Sequence, residues 1–168
     1  KKPPEKRWRS MAHDNIEVEI KIPLSKKEFL RVKKLLEKSA KFIKVSIQKD
    51  DYYTPLHKSF LDVRYPYEWL SVRERSGKVI LNYKHWYPPG AKFTEYADEY
   101  ETEVRDSTQI EKILKAVRFR KAVTVGKKRL VYVFRGKFEI ALDEVKNLGY
   151  FIEIESLKDL GGPEKTHK

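Results

Sequence analysis

The chain has 168 residues, 40% hydrophobic and 37% charged, and this length predicts a single domain with its own core. It has no cysteine, which excludes disulfides and thiolate chemistry, and no apolar segment long enough to span a bilayer, so we expect a cytoplasmic protein. The formal net charge of +12 favours anionic partners such as nucleotides, phosphates or nucleic acid.

The two ends of the sequence differ in composition from the rest. Residues 1–10 hold five Lys or Arg against a single acidic residue, and Lys1-Lys2-Pro3-Pro4 is typical of a disordered segment. We therefore expect residues 1–15 to be a disordered basic leader or a remnant of expression. Residues 16–160 are expected to form the domain, and residues 161–168 a flexible tail.

The first predicted strand carries the clearest pattern, Ile16-Glu17-Val18-Glu19-Ile20-Lys21-Ile22. Successive side chains of a strand point to opposite faces. Glu17, Glu19 and Lys21 therefore share one face, and the four apolar residues share the other. One strand of this kind is usual in a half-solvated antiparallel sheet, so its recurrence along the chain is what matters.

Two helices are predicted between the strands. Ser25 and Glu28 have the spacing of a capping box, and apolar residues recur after them at helical spacing, which indicates a helix over about 25–40. Asp106 or Ser107 caps a second helix, whose apolar face includes Ile110 and Leu114.

The other strand patterns are joined mainly by tight turns. They are predicted at residues 42–53, 69–75, 79–84, 99–104, 123–134, 137–143 and 150–155, with a long loop over 85–98. The turns are Ser76-Gly77-Lys78, Arg135-Gly136 and Asn147-Leu148-Gly149. Seven or eight hairpin-linked strands with two helices predict an antiparallel α+β domain, and closure into a barrel would remove the exposed sheet edges.

Charges recur on one face of these strands, mostly two residues apart. The carboxylates are Glu17, Glu19, Glu101, Glu103, Asp143, Glu153 and Glu155, and the cations are Lys21, Arg73, Arg75, Lys84, Lys127 and Arg129. A solvated strand face explains any one pair. Paired carboxylates repel unless a cation lies between them, and Mg²⁺ and Mn²⁺ take oxygen ligands, whereas Arg and Lys bind phosphate oxygens. Together the segments predict a charged cavity for a polyanion and a metal.

An ordered series of motifs resembles the CYTH superfamily, also called triphosphate tunnel metalloenzymes. The motifs are Glu17-x-Glu19-x-Lys21, Gln48-x-Asp50-Asp51-Tyr52-Tyr53-Thr54-Pro55, Leu70-x-Val72-Arg73-x-Arg75, Leu81-x-Tyr83-Lys84, Glu101-x-Glu103, Val125-x-Lys127-x-Arg129, Ile140-x-Leu142-Asp143-x-Val145 and Leu148-Gly149-x-Phe151-x-Glu153-x-Glu155. The resemblance implies an eight-stranded antiparallel β-barrel whose tunnel holds a triphosphate. Relatives usually continue with a further helix after the last motif. Only a short segment follows Glu155 in this sequence, so the motifs alone do not decide whether the barrel closes.

The resemblance also implies roles for the charged residues. Glu17, Glu19, Glu153 and Glu155, helped by Glu103 and Asp143, match the ligands of Mg²⁺ or Mn²⁺, and the phosphate-binding residues are Lys21, Arg73, Arg75, Lys84, Lys127 and Arg129. Thiamine triphosphatases resemble the chain at Tyr52 and Lys84, a pair that would assist deprotonation of water. Tyr52 could do so only if nearby positive charge lowered its pKa, and its alternative role is packing or hydrogen bonding.

Three functions agree with these patterns. The first is a metal-dependent triphosphatase acting on inorganic triphosphate, ATP or thiamine triphosphate, as a monomer or homodimer. The second is a class IV adenylate cyclase that converts ATP to cyclic AMP and pyrophosphate. The third is a non-catalytic module that binds polyphosphate or RNA 5′ ends. We favour hydrolysis, because no motif identifies an adenine pocket. The four histidines are scattered along the sequence, a spacing that does not favour a zinc site.

Overall fold

One antiparallel sheet and two helices make up the part of the chain that the computed structural model describes, residues 16–157. The expected leader, 1–15, and tail, 161–168, lie outside these residues. The strands are β1 (Ile16–Glu17), β2 (Glu19–Leu24), β3 (Lys41–Pro55), β4 (Glu68–Arg75), β5 (Lys78–Tyr87), β6 (Tyr96–Val104), β7 (Phe119–Phe134), β8 (Phe138–Val145) and β9 (Gly149–Ser156). The helices are α1 (Lys26–Ser39) and α2 (Ser107–Ala116). The predicted antiparallel α+β class is confirmed.

Both edges of the sheet belong to the same short segment. The strand order is β1-β6-β5-β4-β3-β7-β8-β9-β2, and β1 and β2 are separated only by Val18. Glu17 pairs with Ala97 of β6, whereas Glu19 pairs with Glu155 of β9. The amide of Ser156 donates a hydrogen bond to the Val18 carbonyl at 3.1 Å. The sheet therefore curls until its edges meet, and β1 and β2 together count as one of eight strands.

This closure corrects one detail of the predicted first strand. Residues 16–22 were expected to form one uninterrupted strand, but the strand is broken at Val18 and runs on to Leu24. The break arises because its two parts pair with different neighbours.

Side-chain caps fix the start of both helices. The Ser25 amide donates to Glu28 Oε2 at 2.7 Å and the Glu28 amide donates to Ser25 Oγ at 3.2 Å, so the predicted capping box is confirmed. For α2, the Gln109 amide donates to Asp106 Oδ1 at 3.1 Å, which makes Asp106 the N-cap.

The apolar core lies outside the curled sheet, beneath the helices. Phe29 and Leu36 of α1 pack on Tyr132, Ile140 and Leu142 of the sheet. A second cluster places Leu114 of α2 against Tyr53 and Val72. Because strand side chains alternate, the apolar residues that meet the helices leave the charged residues between them facing inward.

The predicted long loop is shorter than expected. Residues 85–98 were interpreted as a loop, but β5 continues to Tyr87 and β6 begins at Tyr96, so the loop spans 88–95. Tyr87 and Tyr96 face each other in the ladder, and their rings stack with centroids 5.0 Å apart. Within residues 16–157, no helix is long and apolar enough to cross a membrane.

Candidate functional site: a charged cavity inside the sheet

The curled sheet encloses a cavity of about 490 Å³. Its lining includes eleven of the residues expected at the site: Glu17, Glu19, Lys21, Tyr52, Arg73, Arg75, Lys84, Lys127, Arg129, Glu153 and Glu155. The strand faces predicted from the alternation of charge therefore meet in this cavity. The lining also includes Glu101, which was predicted on a charged strand face without a site role, and four residues that were not predicted, namely Trp69, Trp86, Glu99 and Glu139.

Arg129 is held firmly on one wall of the cavity. Its Nε and Nη2 donate to the two carboxylate oxygens of Asp143 at 2.7 and 2.6 Å, and Nη2 also donates to Glu153. Lys21 Nζ donates to the other oxygen of Glu153 at 2.6 Å. Although burial favours the neutral acid, Arg129 and Lys21 hold the pKa of Glu153 well below its usual range.

Arg75 and Lys127 are less well compensated. Burial and the neighbouring Arg73 lower the pKa of Arg75, and its Nε is buried without a hydrogen-bond partner. Lys127 Nζ lies 3.6 Å from Asp143 and 3.8 Å from Asp50, too far for strong hydrogen bonds. Burial and repulsion from Arg129 lower the pKa of Lys127 to about 8. An anion that enters the cavity would therefore stabilise the charged forms of Arg75 and Lys127.

Asp50 is not among the residues for which the charge pattern predicts a role. Its side chain is fully buried, and neither carboxylate oxygen has a hydrogen-bond partner. It is the strongest charge acting to raise the pKa of Arg73, against the lowering effect of burial. Asp50 therefore serves as a counter-charge for the cations. Its position two residues before Tyr52 was the available signal.

Lys84 lies among three carboxylates on the opposite wall. Its Nζ contacts Glu17 and lies 3.4 Å from Glu19 and 3.6 Å from Glu99. Burial alone would lower the pKa of Lys84, but Glu19 and Glu17 raise it well above its usual value. Burial raises the pKa of Glu17 to about 9 despite the attraction of Lys84, and repulsion from Glu19 adds to this.

Glu155 lies in a similar concentration of negative charge. Burial raises its pKa to about 7, with further contributions from Glu139 and Glu19. Glu139 pairs directly with Glu155 between β8 and β9. Carboxylates crowded in this way are stabilised by a proton or by a cation between them.

Arg73 connects the two walls. It donates to Glu101 at 3.0 Å and to Glu99 at 3.4 Å, and Asn82 donates to the same two carboxylates. Glu99 continues the two-residue alternation of Glu101 and Glu103, so the signal for including it was present in the sequence.

Tyr52 faces the cavity with its hydroxyl protonated at neutral pH. Burial, helped by Asp50, raises its pKa, although Arg73, Lys21 and Lys84 oppose this. To act as a base at neutral pH, Tyr52 would need a lowered pKa. Tyr52 is suited instead to donating a hydrogen bond, and its ring packs edge-on against Trp69.

Two of the expected metal ligands do not line the cavity. Glu103 is exposed at the end of β6, where it accepts a hydrogen bond from Lys78 at 2.6 Å. Asp143 lies in the sheet, fully buried, with both oxygens bonded to Arg129. Glu103 thus makes a surface ion pair, and Asp143 positions an arginine.

The remaining carboxylates suit a hard divalent cation only in part. Glu17, Glu19 and Glu155 supply oxygen donors. The raised pKa values of Glu17 and Glu155, and the repulsion of both by Glu19, favour a cation between these carboxylates. No three Asp, Glu or His side chains within residues 16–157 converge into a ready metal site. Mg²⁺ commonly uses one or two carboxylates and completes its shell with water and substrate phosphates, so the residues fit a metal that arrives with a phosphate ligand.

The family model for the CYTH domain matches residues 15–160. A protein named "Putative adenylate cyclase MJ0240" from Methanocaldococcus jannaschii is 30% identical over 152 residues, which cover 90% of this chain and 83% of the relative.

Solved structures share the fold. The PH1819 protein from Pyrococcus horikoshii OT3 superposes with a TM-score of 0.71 at 29% identity, covering 86% of this chain and 80% of that chain. HpAC1 from Hippeastrum, described as a putative adenylyl cyclase with a dominant triphosphatase activity, superposes with a TM-score of 0.61. It is 18% identical over 90% of this chain and 82% of that chain, so the likeness concerns the fold.

Proposed function

The chain belongs to the CYTH domain family, and from this premise we propose that it is a metal-dependent triphosphatase that cleaves a phosphoanhydride bond in its internal cavity. The observation that carries the proposal is the concentration of both kinds of charge within one enclosed space. Arg75 lies close to Arg73 and Arg129, and Lys127 lies close to Arg129, whereas Glu17, Glu19 and Glu155 crowd elsewhere on the same lining.

The cations are suited to a linear triphosphate. Arginines can hold phosphate oxygens through paired hydrogen bonds, and a buried site strengthens each contact because little water screens it. Arg75 and Lys127 have spare donors, so a bound phosphate would offset the burial and the repulsion that now lower their pKa values. Phosphoryl transfer depends mainly on such positioning and charge stabilisation.

The opposite wall would hold the metal. Glu17, Glu19 and Glu155 are the proposed ligands, with Glu153 restrained by Lys21 and Arg129. A bound Mg²⁺ or Mn²⁺ would neutralise phosphate charge and acidify a water molecule. Lys84, charged at neutral pH, would move from its carboxylates toward a phosphate oxygen, and Tyr52 would donate a hydrogen bond.

A cyclase is the second candidate, because the archaeal relative at 30% identity carries an adenylate cyclase name. Both reactions need the triphosphate in the same cavity. They differ in the nucleophile, which is water for hydrolysis and the ribose 3′-hydroxyl for cyclisation. The Hippeastrum protein, described by its triphosphatase activity, shows that a protein of this fold can act as a hydrolase.

Product analysis tests the proposal. The protein is incubated with Mg²⁺ or Mn²⁺ and either ATP or inorganic triphosphate, and the products are separated by chromatography. We expect orthophosphate with the shortened polyphosphate or nucleotide, and no turnover in EDTA. Cyclic AMP with pyrophosphate would instead identify a cyclase. Salt-sensitive binding that survives EDTA without turnover would identify the non-catalytic polyphosphate- or RNA-binding module.

A further inference from the structure

Asp50 is a buried carboxylate that lies behind the lining of the charged cavity. It shares the inward-facing row of β3 with Tyr52, but it is fully buried and is not one of the residues of 16–157 that line the cavity. Neither of its carboxylate oxygens has a hydrogen-bond partner in the part of the chain that the structure describes. Burial of a charge is costly unless other charges compensate it, so nearby cations must account for this carboxylate.

Strand register places Asp50 between two cations of the cavity. Asp50 pairs directly with Arg73 of β4, and on its other side Lys127 lies two residues from the position in β7 with which Asp50 pairs. Lys127 Nζ is 3.8 Å from Asp50 Oδ2. The charge of Asp50 also acts on Arg75 and Tyr52. Asp50 therefore influences four residues of the lining without being part of it.

Asp50 compensates the cations differently from Asp143. Asp143 accepts two hydrogen bonds from Arg129, at 2.7 and 2.6 Å, and so occupies donors of that arginine. Asp50 makes no hydrogen bond within residues 16–157, so it balances positive charge without occupying a donor. Lys127 therefore keeps its donors for a phosphate oxygen. A phosphate bound there would in turn be repelled by the negative charge of Asp50.

The distance between Asp50 and a bound phosphate sets the size of this repulsion. A phosphate oxygen that accepts a hydrogen bond from Lys127 lies about 2.8 Å from Nζ, which places it within about 7 Å of Asp50 Oδ2. At that distance, with an effective dielectric constant of about 20, one unit of negative charge weakens binding roughly ten- to hundredfold. The repulsion grows with each further charge that the anion carries.

We propose that Asp50 is a positioning residue that acts as a resident counter-ion of the phosphate site. It balances Arg73 and Lys127 while the cavity is empty, and it repels the anion that later binds to them. Its effect is to limit the affinity of the cationic wall for highly charged anions, so that the wall does not retain the phosphate products. This inference rests on the proposed function, since the anion is a polyphosphate bound at these cations.

The test measures how tightly anions of increasing charge bind when Asp50 loses its charge. The ligands are orthophosphate and the uncleavable forms of pyrophosphate and triphosphate in which CH₂ replaces the bridging oxygens, so calorimetry in Mg²⁺ measures binding alone. The proteins are the wild type, Asp50→Asn and, as a matched control, Asp51→Asn. Asp51 is also buried, but it points to the other face of β3, where it accepts hydrogen bonds from Lys121 and Thr124.

Removal of the charge should tighten binding, and more so for a more highly charged anion. Asp50→Asn should bind the uncleavable triphosphate at least about tenfold more tightly than the wild type, with a smaller gain for pyrophosphate and the smallest for orthophosphate. Asp51→Asn should stay within about threefold of the wild type for each ligand. In steady-state assays with a cleavable triphosphate, Asp50→Asn should lower KM and strengthen inhibition by pyrophosphate, whereas loss of a merely structural residue would raise KM.

A second pair of variants keeps the test valid if Asp50→Asn fails to fold, since that change leaves buried cations without compensation. Lys127→Met removes one cation and keeps Asp50. The double variant Asp50→Asn/Lys127→Met removes one charge of each sign, so the net charge of the wall stays that of the wild type. The double variant should bind the uncleavable triphosphate at least about fivefold more tightly than Lys127→Met, because Arg73 and Arg75 remain and only the repulsion is removed.

Three outcomes would overturn the inference. Weaker or unchanged triphosphate binding, in Asp50→Asn against the wild type or in the double variant against Lys127→Met, would mean that Asp50 holds the cations in place, as Asp143 does. An equal gain for all three anions would also contradict it, because the repulsion must grow with charge. Failure of the wild type itself to bind the uncleavable triphosphate in Mg²⁺ would reject the proposed function and this inference together.

Discussion

Asp143 engages Arg129 through both of its carboxylate oxygens, at 2.7 and 2.6 Å. Asp143 is fully buried, and the two residues are direct partners in the β7–β8 ladder. A carboxylate used in this way has little capacity left for a metal. Its effect is to hold the guanidinium of Arg129 toward the cavity, where Arg129 also contacts Glu153.

Replacement of Asp143 should therefore weaken the metal-free protein. In Asp143→Asn, Arg129 loses its charged partner in a buried setting, so we expect the free energy of unfolding to fall by about 3 kcal/mol. The measurement is urea unfolding in EDTA. Glu103→Gln, which removes one partner of the exposed pair with Lys78, should change stability by less than about 1 kcal/mol. A metal ligand would behave differently: Asp143→Asn would keep its stability in EDTA and would only require more metal.

The carboxylates on the wall opposite the arginines should control activity. Glu17→Gln and Glu19→Gln preserve side-chain shape but remove charge, so we expect turnover to fall by at least about a hundredfold, because charge-neutralising groups at phosphoryl-transfer sites contribute effects of that order. Steady-state assays over a range of Mg²⁺ and Mn²⁺ concentrations would measure this.

Glu103→Gln is the matched comparison, since this carboxylate lies outside the cavity. We expect its turnover to remain within about twofold of the wild type. Normal turnover in Glu17→Gln and Glu19→Gln would disprove the metal assignment. A large loss in Glu103→Gln would mean that the cavity extends further in solution.

The two-residue alternation of charges was enough to predict which strand faces meet. It predicts Lys21, Arg73 and Arg129 on one lining, because a strand has only two faces. It did not predict the break at Val18, which depends on pairing with two strands distant in sequence. Contacts of this kind are set by the closure of the whole sheet, and no local pattern encodes them.

The same alternation also indicates two cavity-lining residues that were not predicted. Glu139 is four residues before Asp143, and Trp69 is four before Arg73, so both lie on inward-facing positions of their strands. Extension of each pattern by one or two more positions would have included them. The reverse error concerns Glu103, which has the correct face but lies past the end of the cavity. Alternation predicts direction, whereas the depth along the barrel axis depends on strand register.

Stability of the metal-free protein should fall as pH rises from about 5 to 7. The pKa of Glu155 is raised to about 7 in the folded state, above the ordinary value of 4.5. The folded state therefore holds a proton that the unfolded state releases in this interval, and the stabilising effect of that proton is lost as pH passes the folded-state pKa. Glu17, with a pKa of about 9, extends the same trend to higher pH.

Glu155→Gln isolates this contribution. Thermal unfolding of the two proteins in EDTA at pH 5, 6 and 7 should give a smaller decrease for the variant, because one of the two titrating carboxylates is absent. Glu144→Gln, which alters an exposed carboxylate, should follow the wild type. Parallel curves for Glu155→Gln and the wild type would show that Glu155 titrates normally, and the crowding with Glu139 and Glu19 would then be relieved in solution.

Arg75 should stabilise the triphosphate complex while destabilising the free protein. It is half-buried near Arg73, its buried Nε has no hydrogen-bond partner, and its pKa is lowered. Arg75→Gln should therefore raise the free energy of unfolding of the ligand-free protein by about 1 kcal/mol, and its unfolding temperature with it. Gains of this size are common when a functional group that costs stability is removed. The same change should weaken triphosphate binding roughly ten- to hundredfold, the value of a charged hydrogen bond. Thermal unfolding with and without the uncleavable triphosphate measures both effects. If Arg75→Gln lowers the stability of the free protein, Arg75 has a structural partner in solution, and the argument that repulsion prepares this wall for an anion fails.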